Sequence, residues 1–160
     1  MQQRQIQFNY QLFQNIQELN EADALLLQSA RNNTNLAYAP YSRFQVSAAA
    51  LLSNGEIVFG TNQENASYPV SICAERSLLA SAATLFPQAY VVSMAVTYQS
   101  LQYNSNQPIS PCGMCRQAIT EHQKRYGHNM RLILSGQTGD IYVIEDAAAL
   151  LPLAFTSTKI

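Results

Sequence analysis

The segment Pro111-Cys112-Gly113-Met114-Cys115-Arg116-Gln117 opens a run of helix formers that continues to Tyr126 and stops at Gly127. Positions i and i+3 share a helix face, so Cys112 and Cys115 can grip one ion from the first turn. A second stretch, Cys73-Ala74-Glu75-Arg76, opens another predicted helix that runs to Leu85 and stops before Pro87. Unpaired amides at both helix starts favour the thiolate form. The chain has three cysteines, and all of them lie in these two motifs. Three thiolates suit zinc, and a site with three protein ligands leaves a position for water, which is the catalytic arrangement rather than the structural one. Neither histidine completes the shell. His122 stands seven residues after Cys115, about 10 Å along a helix, and His128 lies beyond the helix end.

Glu75 follows Cys73 by two residues. A carboxylate in that position can take a proton from an activated water and hand it on, as general base and then general acid. Three thiolates leave the site with net negative charge, and Arg76 and Arg116, each beside a ligand motif, are expected to offset it.

The rest of the chain supplies a frame for these two helices. Gln5 to Leu12 alternates, with Ile6, Phe8, Tyr10 and Leu12 on one side, and predicts a half-buried strand within an N-terminal extension over residues 1–18. Asn20-Glu21 with Asp23 predicts a helix start, continued by the apolar stretch Ala22 to Ala30. Phe44 to Leu52, the turn Ser53-Asn54-Gly55 and Glu56 to Phe59 read as a hairpin. Strands are also predicted for Tyr90 to Tyr98, Arg131 to Ser135 and Ile141 to Ile144, with a short helix over Glu145 to Leu151. Strands alternating with helices point to an α/β domain with a mixed sheet.

Composition removes several classes of function. The length of 160 residues is that of one domain, and 48% hydrophobic residues is ordinary for a packed core. With 9 Lys+Arg against 10 Asp+Glu, and the basic residues spread along the chain, neither nucleic acid nor an anionic membrane surface is an expected partner. The N-terminus has no apolar stretch of signal-peptide length, and the run Ala147 to Phe155 is short and broken by Pro152. With no disulfide framework either, the expected compartment is the cytoplasm. Charged residues are only 12% of the chain, which suggests surface buried against other subunits.

The sequence resembles the cytidine deaminase family, in particular its short, homo-oligomeric enzymes that act on free nucleosides. The resemblance rests on Cys73-Ala74-Glu75-Arg76 and Pro111-Cys112-x-x-Cys115, on Ala37-Tyr38-Ala39-Pro40-Tyr41-Ser42-Arg43-Phe44, on Asn62-Gln63-Glu64-Asn65-Ala66-Ser67-Tyr68-Pro69 and on Leu150-Leu151-Pro152-Leu153-Ala154-Phe155. It implies a single layered α/β/α domain over residues 1–160 with a mixed five-stranded sheet. It also implies one zinc ion per subunit on Cys73, Cys112 and Cys115, and Glu75 as proton shuttle. Phe44 would pack on the pyrimidine, Asn62 and Glu64 would bind ribose, and Ala74 would contact substrate. Ala66, Tyr68 and Phe155 would reach a neighbouring subunit's site within a homotetramer. The implied reaction is hydrolytic deamination of cytidine or 2'-deoxycytidine, a step of pyrimidine salvage.

Ser47 departs from the family's usual glycine, and Thr156 follows Phe155 close to the end of the chain. Three other readings share the motifs, of which a polynucleotide-editing deaminase is disfavoured by the charge balance. A deaminase of another aminated base compound, such as a blasticidin-type nucleoside, is disfavoured by Asn62 and Glu64. A non-enzymatic zinc-stabilised assembly is disfavoured by Glu75 and the missing fourth ligand.

Overall fold

Ala48-Ala49-Ala50, in the middle of one strand, has helices packed on both sides, and the architecture follows from that fact. The computed structural model describes residues 1–157. In chain order the elements are β1 (Gln11–Phe13), α1 (Glu21–Asn32), β2 (Phe44–Leu52), β3 (Ile57–Thr61), α2 (Ala74–Leu85), β4 (Val91–Ser100), α3 (Gly113–Tyr126), β5 (Arg131–Ser135) and β6 (Ile141–Ile144). Short 3-10 turns occupy Ile16–Glu18, Thr34–Leu36, Tyr68–Val70 and Ala147–Leu150. The strands form one mixed sheet in the order β1-β6-β5-β4-β2-β3. β4 and β5 run parallel, joined by the crossover that contains α3, and the other pairs are antiparallel.

Alternate residues of the central strands face opposite layers. Ala49, Ala95, Ile133 and Val143 pack against Leu26, Leu27 and Ala30 of α1. Ala48, Ala50, Met94, Val96, Leu132 and Leu134 pack against Leu78 and Ala82 of α2 and Ile119 of α3. The expected α/β/α layering is present, and burial on both faces explains why these strands read as continuous apolar runs. Gly60 of β3 brings α2 close to the sheet: a Cβ there would stand 2.4 Å from the Ala74 carbonyl oxygen and 2.5 Å from the Leu78 nitrogen. The first turn of α2 therefore rests directly on β3. At the start of α1, Asn20 Oδ1 accepts from the Asp23 amide at 2.9 Å, the cap the sequence signalled. Asp23 is itself buried and pairs with Arg131 of β5 at 2.8 Å.

The N-terminal expectation needs correction. Pairing begins at Gln11, not Gln5, and Ile6, Phe8, Tyr10 and Leu12 are all exposed. β1 pairs with β6 over Gln11↔Val143 to Phe13↔Ile141, and β6 ends at Ile144 before the chain turns into the Ala147–Leu150 segment. The alternating residues before Gln11 thus have no ladder to join. The short β1 still makes the sheet six-stranded rather than five-stranded.

His122 has a structural role in α3. It is buried, and its Nε2 accepts from the Val91 amide at 3.3 Å. Burial, with Arg125 nearby, pushes its pKa down to about 4. A histidine held neutral in the fold contributes stability that is complete above its unfolded pKa of about 6.5 and is lost as pH falls toward 4. Wild-type protein should therefore lose on the order of 2 kcal/mol more than His122→Gln between about pH 7 and pH 4.5. Thermal melts across that range test this; equal losses in the two proteins would exclude His122 as the source.

Candidate metal centre and substrate cleft

Cys73 is the N-cap of α2 and Cys112 is the N-cap of α3, with Cys115 one turn further along. The two helix starts converge so that the three sulfurs lie within 4.8 Å of one another. Cys73 Sγ is 3.8 Å from Cys112 Sγ, which is 3.5 Å from Cys115 Sγ. A tetrahedral zinc with bonds of about 2.3 Å needs sulfur–sulfur edges of about 3.8 Å, so the trio fits the ion. Among the described residues no fourth His, Cys, Asp or Glu joins the cluster. His122 is committed to Val91, and His128 stacks on Tyr90 with ring centroids 3.8 Å apart.

The electrostatics suit this use. The Cys73 thiol is pushed down to about 6, foremost by a hydrogen bond from Cys115, against burial and the nearby Glu75 charge; Cys112 and Arg76 add to the lowering. Cys115, the donor in that pair and fully buried, is pushed up. The Glu75 carboxyl is buried and held above the usual carboxylate range, chiefly by desolvation. Hydrogen bonds from its own amide and from Cys115 oppose that rise. A carboxyl so placed takes up a proton more readily than an exposed one.

These groups border a cleft of about 910 Å³. Cys73, Ala74, Glu75 and Cys112 line it together with Phe44, Asn62 and Glu64. The family model for the cytidine and deoxycytidylate deaminase zinc-binding region matches residues 20–126. The chain belongs to the cytidine deaminase family. A cytidine deaminase of Halalkalibacterium halodurans is 38% identical over 83% of this chain and 93% of its own length. One from Sporosarcina psychrophila is 34% identical over 82% of this chain and 89% of its own. The crystal structure of the Burkholderia pseudomallei cytidine deaminase superposes with a TM-score of 0.71 at 35% identity, covering 86% of this chain and all of that one.

The cytidine deaminase cleft gathers most of the residues singled out from the sequence, and its geometry gives several of them extra duties. Asn62 Oδ1 accepts from the Val46 amide at 2.7 Å while its Nδ2 donates to the Phe44 carbonyl at 2.9 Å. Half of its hydrogen-bonding capacity thus ties the loop to β2, leaving one N–H and one lone pair. Glu64 Oε2 accepts from the amides of Tyr41 and Ser42 at 2.9 and 3.2 Å. Burial pushes the Glu64 carboxyl up, but bonds from the Ser42 hydroxyl and the two amides outweigh it and hold it below the ordinary range. Phe44 stacks on Tyr98 with centroids 4.6 Å apart. Tyr68 lines the cleft, meets Tyr41 edge-on at 5.9 Å and is otherwise exposed.

Ala66 and Phe155 are exposed and do not line this chain's own cleft. The Phe155 carbonyl accepts from Gln117 Nε2 at 2.9 Å. Arg116 donates to the carbonyls of Pro111 and Leu150 at 2.8 and 2.9 Å, so it braces the backbone around Cys112 as well as carrying charge. Arg76 lies in the groove between α2 and α3, with Glu121, His122 and Arg125.

Three features in or behind the cleft were not assigned from the sequence: the paired amides of Tyr41 and Ser42, the Tyr98 ring stacked on Phe44, and the wall formed by Ile109 and Ser110. Tyr41-Ser42 stood inside a recognised motif, so its proximity to Glu64 was the one available signal. The other two depend on pairings that no local pattern encodes.

Proposed function

We propose that this chain is a single-domain subunit of a cytoplasmic homotetramer that deaminates free cytidine and 2'-deoxycytidine hydrolytically. The observation that carries the reading is a buried Glu75 beside a three-sulfur cluster, at the edge of a cleft large enough for a nucleoside. Cys73, Cys112 and Cys115 would hold zinc, which when bound would supply Lewis-acid activation of a water at neutral pH.

The remaining work falls to side chains. Glu75 accepts the proton that the attacking water releases and delivers it to N3 of the ring as the hydroxyl adds to C4. It then helps move a second proton to the exocyclic amine, which leaves as ammonia while C4 regains its carbonyl. Water is consumed, ammonia is released, and no redox change occurs. Phe44, rigid against Tyr98, offers an apolar face to the pyrimidine. Ala74, at the first position of α2, brings a free helix-start amide to the cleft. The Glu64 carboxylate and the free N–H of Asn62 meet the ribose hydroxyls. Arg76, the nearest cation to lower the Cys73 pKa, offsets thiolate charge, and Arg116 does so from behind Pro111.

Ala66, Tyr68 and Phe155 are assigned to a neighbouring subunit's site. Their exposure supports this, since Tyr68 and Phe155 leave 70% and 82% of their surface uncovered in one chain. The three free cysteines fit a reducing compartment. No helix of the described residues is long and apolar enough to cross a membrane.

The deciding test is chromatographic measurement of uridine and deoxyuridine formed by purified, zinc-loaded protein. Turnover of either nucleoside is expected. Absence of turnover on both by folded, metal-loaded protein would reject the reading, and a blasticidin-type nucleoside would be the next substrate to offer.

A further inference from the structure

The turn between β5 and β6 lies outside the cleft yet bonds to two segments that lead into its lining. The Gln137 amide donates to the Ser105 carbonyl at 2.7 Å and the Thr138 amide to the same oxygen at 3.3 Å. Gln137 Nε2 donates to the Tyr98 carbonyl at 3.1 Å. Tyr98 is the residue on which Phe44 stacks. From Ser105 the chain runs on to Ile109 and Ser110, which line the cleft, and to Pro111, whose carbonyl Arg116 holds. The contact at Ser105 is backbone against backbone: a Cβ on Gly136 would stand 2.3 Å from the Ser105 carbonyl oxygen. Ser105 is also held from its own side, where its Oγ accepts from the Ser100 amide at 2.8 Å.

The turn is braced from behind. Arg31 of α1 donates through Nε to the Gly136 carbonyl at 3.0 Å and through Nη2 to Ser135 Oγ at 2.9 Å. Its guanidinium has no carboxylate partner among the described residues. A half-buried arginine spent on a carbonyl and a hydroxyl fixes geometry rather than neutralising charge.

We infer that Gln137 and Gly136 are positioning residues for substrate binding: the Arg31-braced turn sets where the Phe44–Tyr98 stack and the Ile109–Ser110 wall stand relative to Glu75. This rests on the nucleoside deaminase reading. Glu75 and the three cysteines are held separately, by the starts of α2 and α3. Disturbing the turn should therefore loosen the substrate's walls while leaving the metal ligands and the proton carrier in place. Uniform loss of substrate binding appears in KM, whereas loss confined to the transition state appears in kcat.

Gln137→Ala removes the bond to Tyr98 and keeps the two main-chain bonds. Its KM for cytidine should rise about 3- to 10-fold with kcat within about twofold of wild type. Gln137→Glu, similar in shape but with no donor, should match Gln137→Ala rather than wild type. Gly136→Ala forces Ser105 aside, and its kcat/KM should fall about 10- to 100-fold with zinc content unchanged. Hydrogen exchange on the substrate-free protein supplies a second readout: amides over residues 100–110 should exchange faster in Gln137→Ala.

Faster exchange with unchanged KM would show that the turn holds the loop but does not position the site, and unchanged exchange would overturn the bracing itself. A kcat loss without a KM change would overturn the proposal as well. If the wild type turns over neither nucleoside, the functional reading fails first, and the exchange result still judges the bracing. Should Gly136→Ala not fold, the two Gln137 variants carry the test.

Discussion

Glu75→Gln is expected to lower kcat for cytidine by about 10³- to 10⁴-fold while the protein keeps its fold and one zinc per chain. The substitution preserves shape and hydrogen-bonding capacity but cannot carry a proton between water, N3 and the leaving amine. All three transfers pass through this single carboxyl, so the loss should reach the upper end of what general acid–base catalysis contributes. KM should change little, because the other cleft residues Asn62, Glu64 and Phe44 are untouched. Glu75 is buried and its charged form is disfavoured there, so removing the charge should not destabilise the fold. Steady-state kinetics beside metal analysis and a thermal melt check all three points. A kcat within tenfold of wild type would remove Glu75 from the mechanism.

Cys112→Ser is expected to abolish zinc retention and to take activity to background. Serine's hydroxyl stays protonated at neutral pH and is a poor substitute for a thiolate. The two cysteines that remain cannot hold the ion against a chelator. Zinc binds the native arrangement, so its loss should also lower the melting temperature. The informative comparison is with chelated wild type. Wild-type protein should melt earlier after metal removal, whereas Cys112→Ser should melt at one temperature with or without chelator. Cys112 is exposed, so the substitution leaves no core cavity to confuse the result. A variant that keeps stoichiometric zinc through dialysis would show that the cluster is not the binding site.

The helices bearing the chemistry were legible because each carries its own signals. Cys73 and Cys112 mark their starts, Pro87 and Gly127 follow their ends, and i,i+3 spacing puts two sulfurs on one face. The central strands were legible from their apolar runs. The N-terminal segment misled because alternation reports that a residue set can cover a face, not that a partner strand is present; β6 is four residues long and ends too soon. Asn62 read as a loop residue free to bind ligand, but half its amide is committed to β2, a contact 16 to 18 positions away. The same limit hid Tyr98 and the Ser105 contact, both made by segments distant in sequence. Local pattern gave the cysteine cluster and the buried carboxyl of Glu75, while the walls of the cleft depend on register and on turns packing against loops.

The run Ala48-Ala49-Ala50, fully buried throughout, divides the molecule by parity. Ala49 faces α1, whereas Ala48 and Ala50 face the layer that holds α2 and α3. An extra methylene at Ala49 presses on a helix remote from the cysteines, and its penalty is confined to folding. Moved one position either way, the same methylene presses on the layer whose helices begin at Cys73 and Cys112, and a shift of those helices is expected to reach the spacing of the sulfurs. Along three residues of one strand, tolerance to bulk thus alternates between two currencies: how long the chain survives, and how fast it turns over substrate.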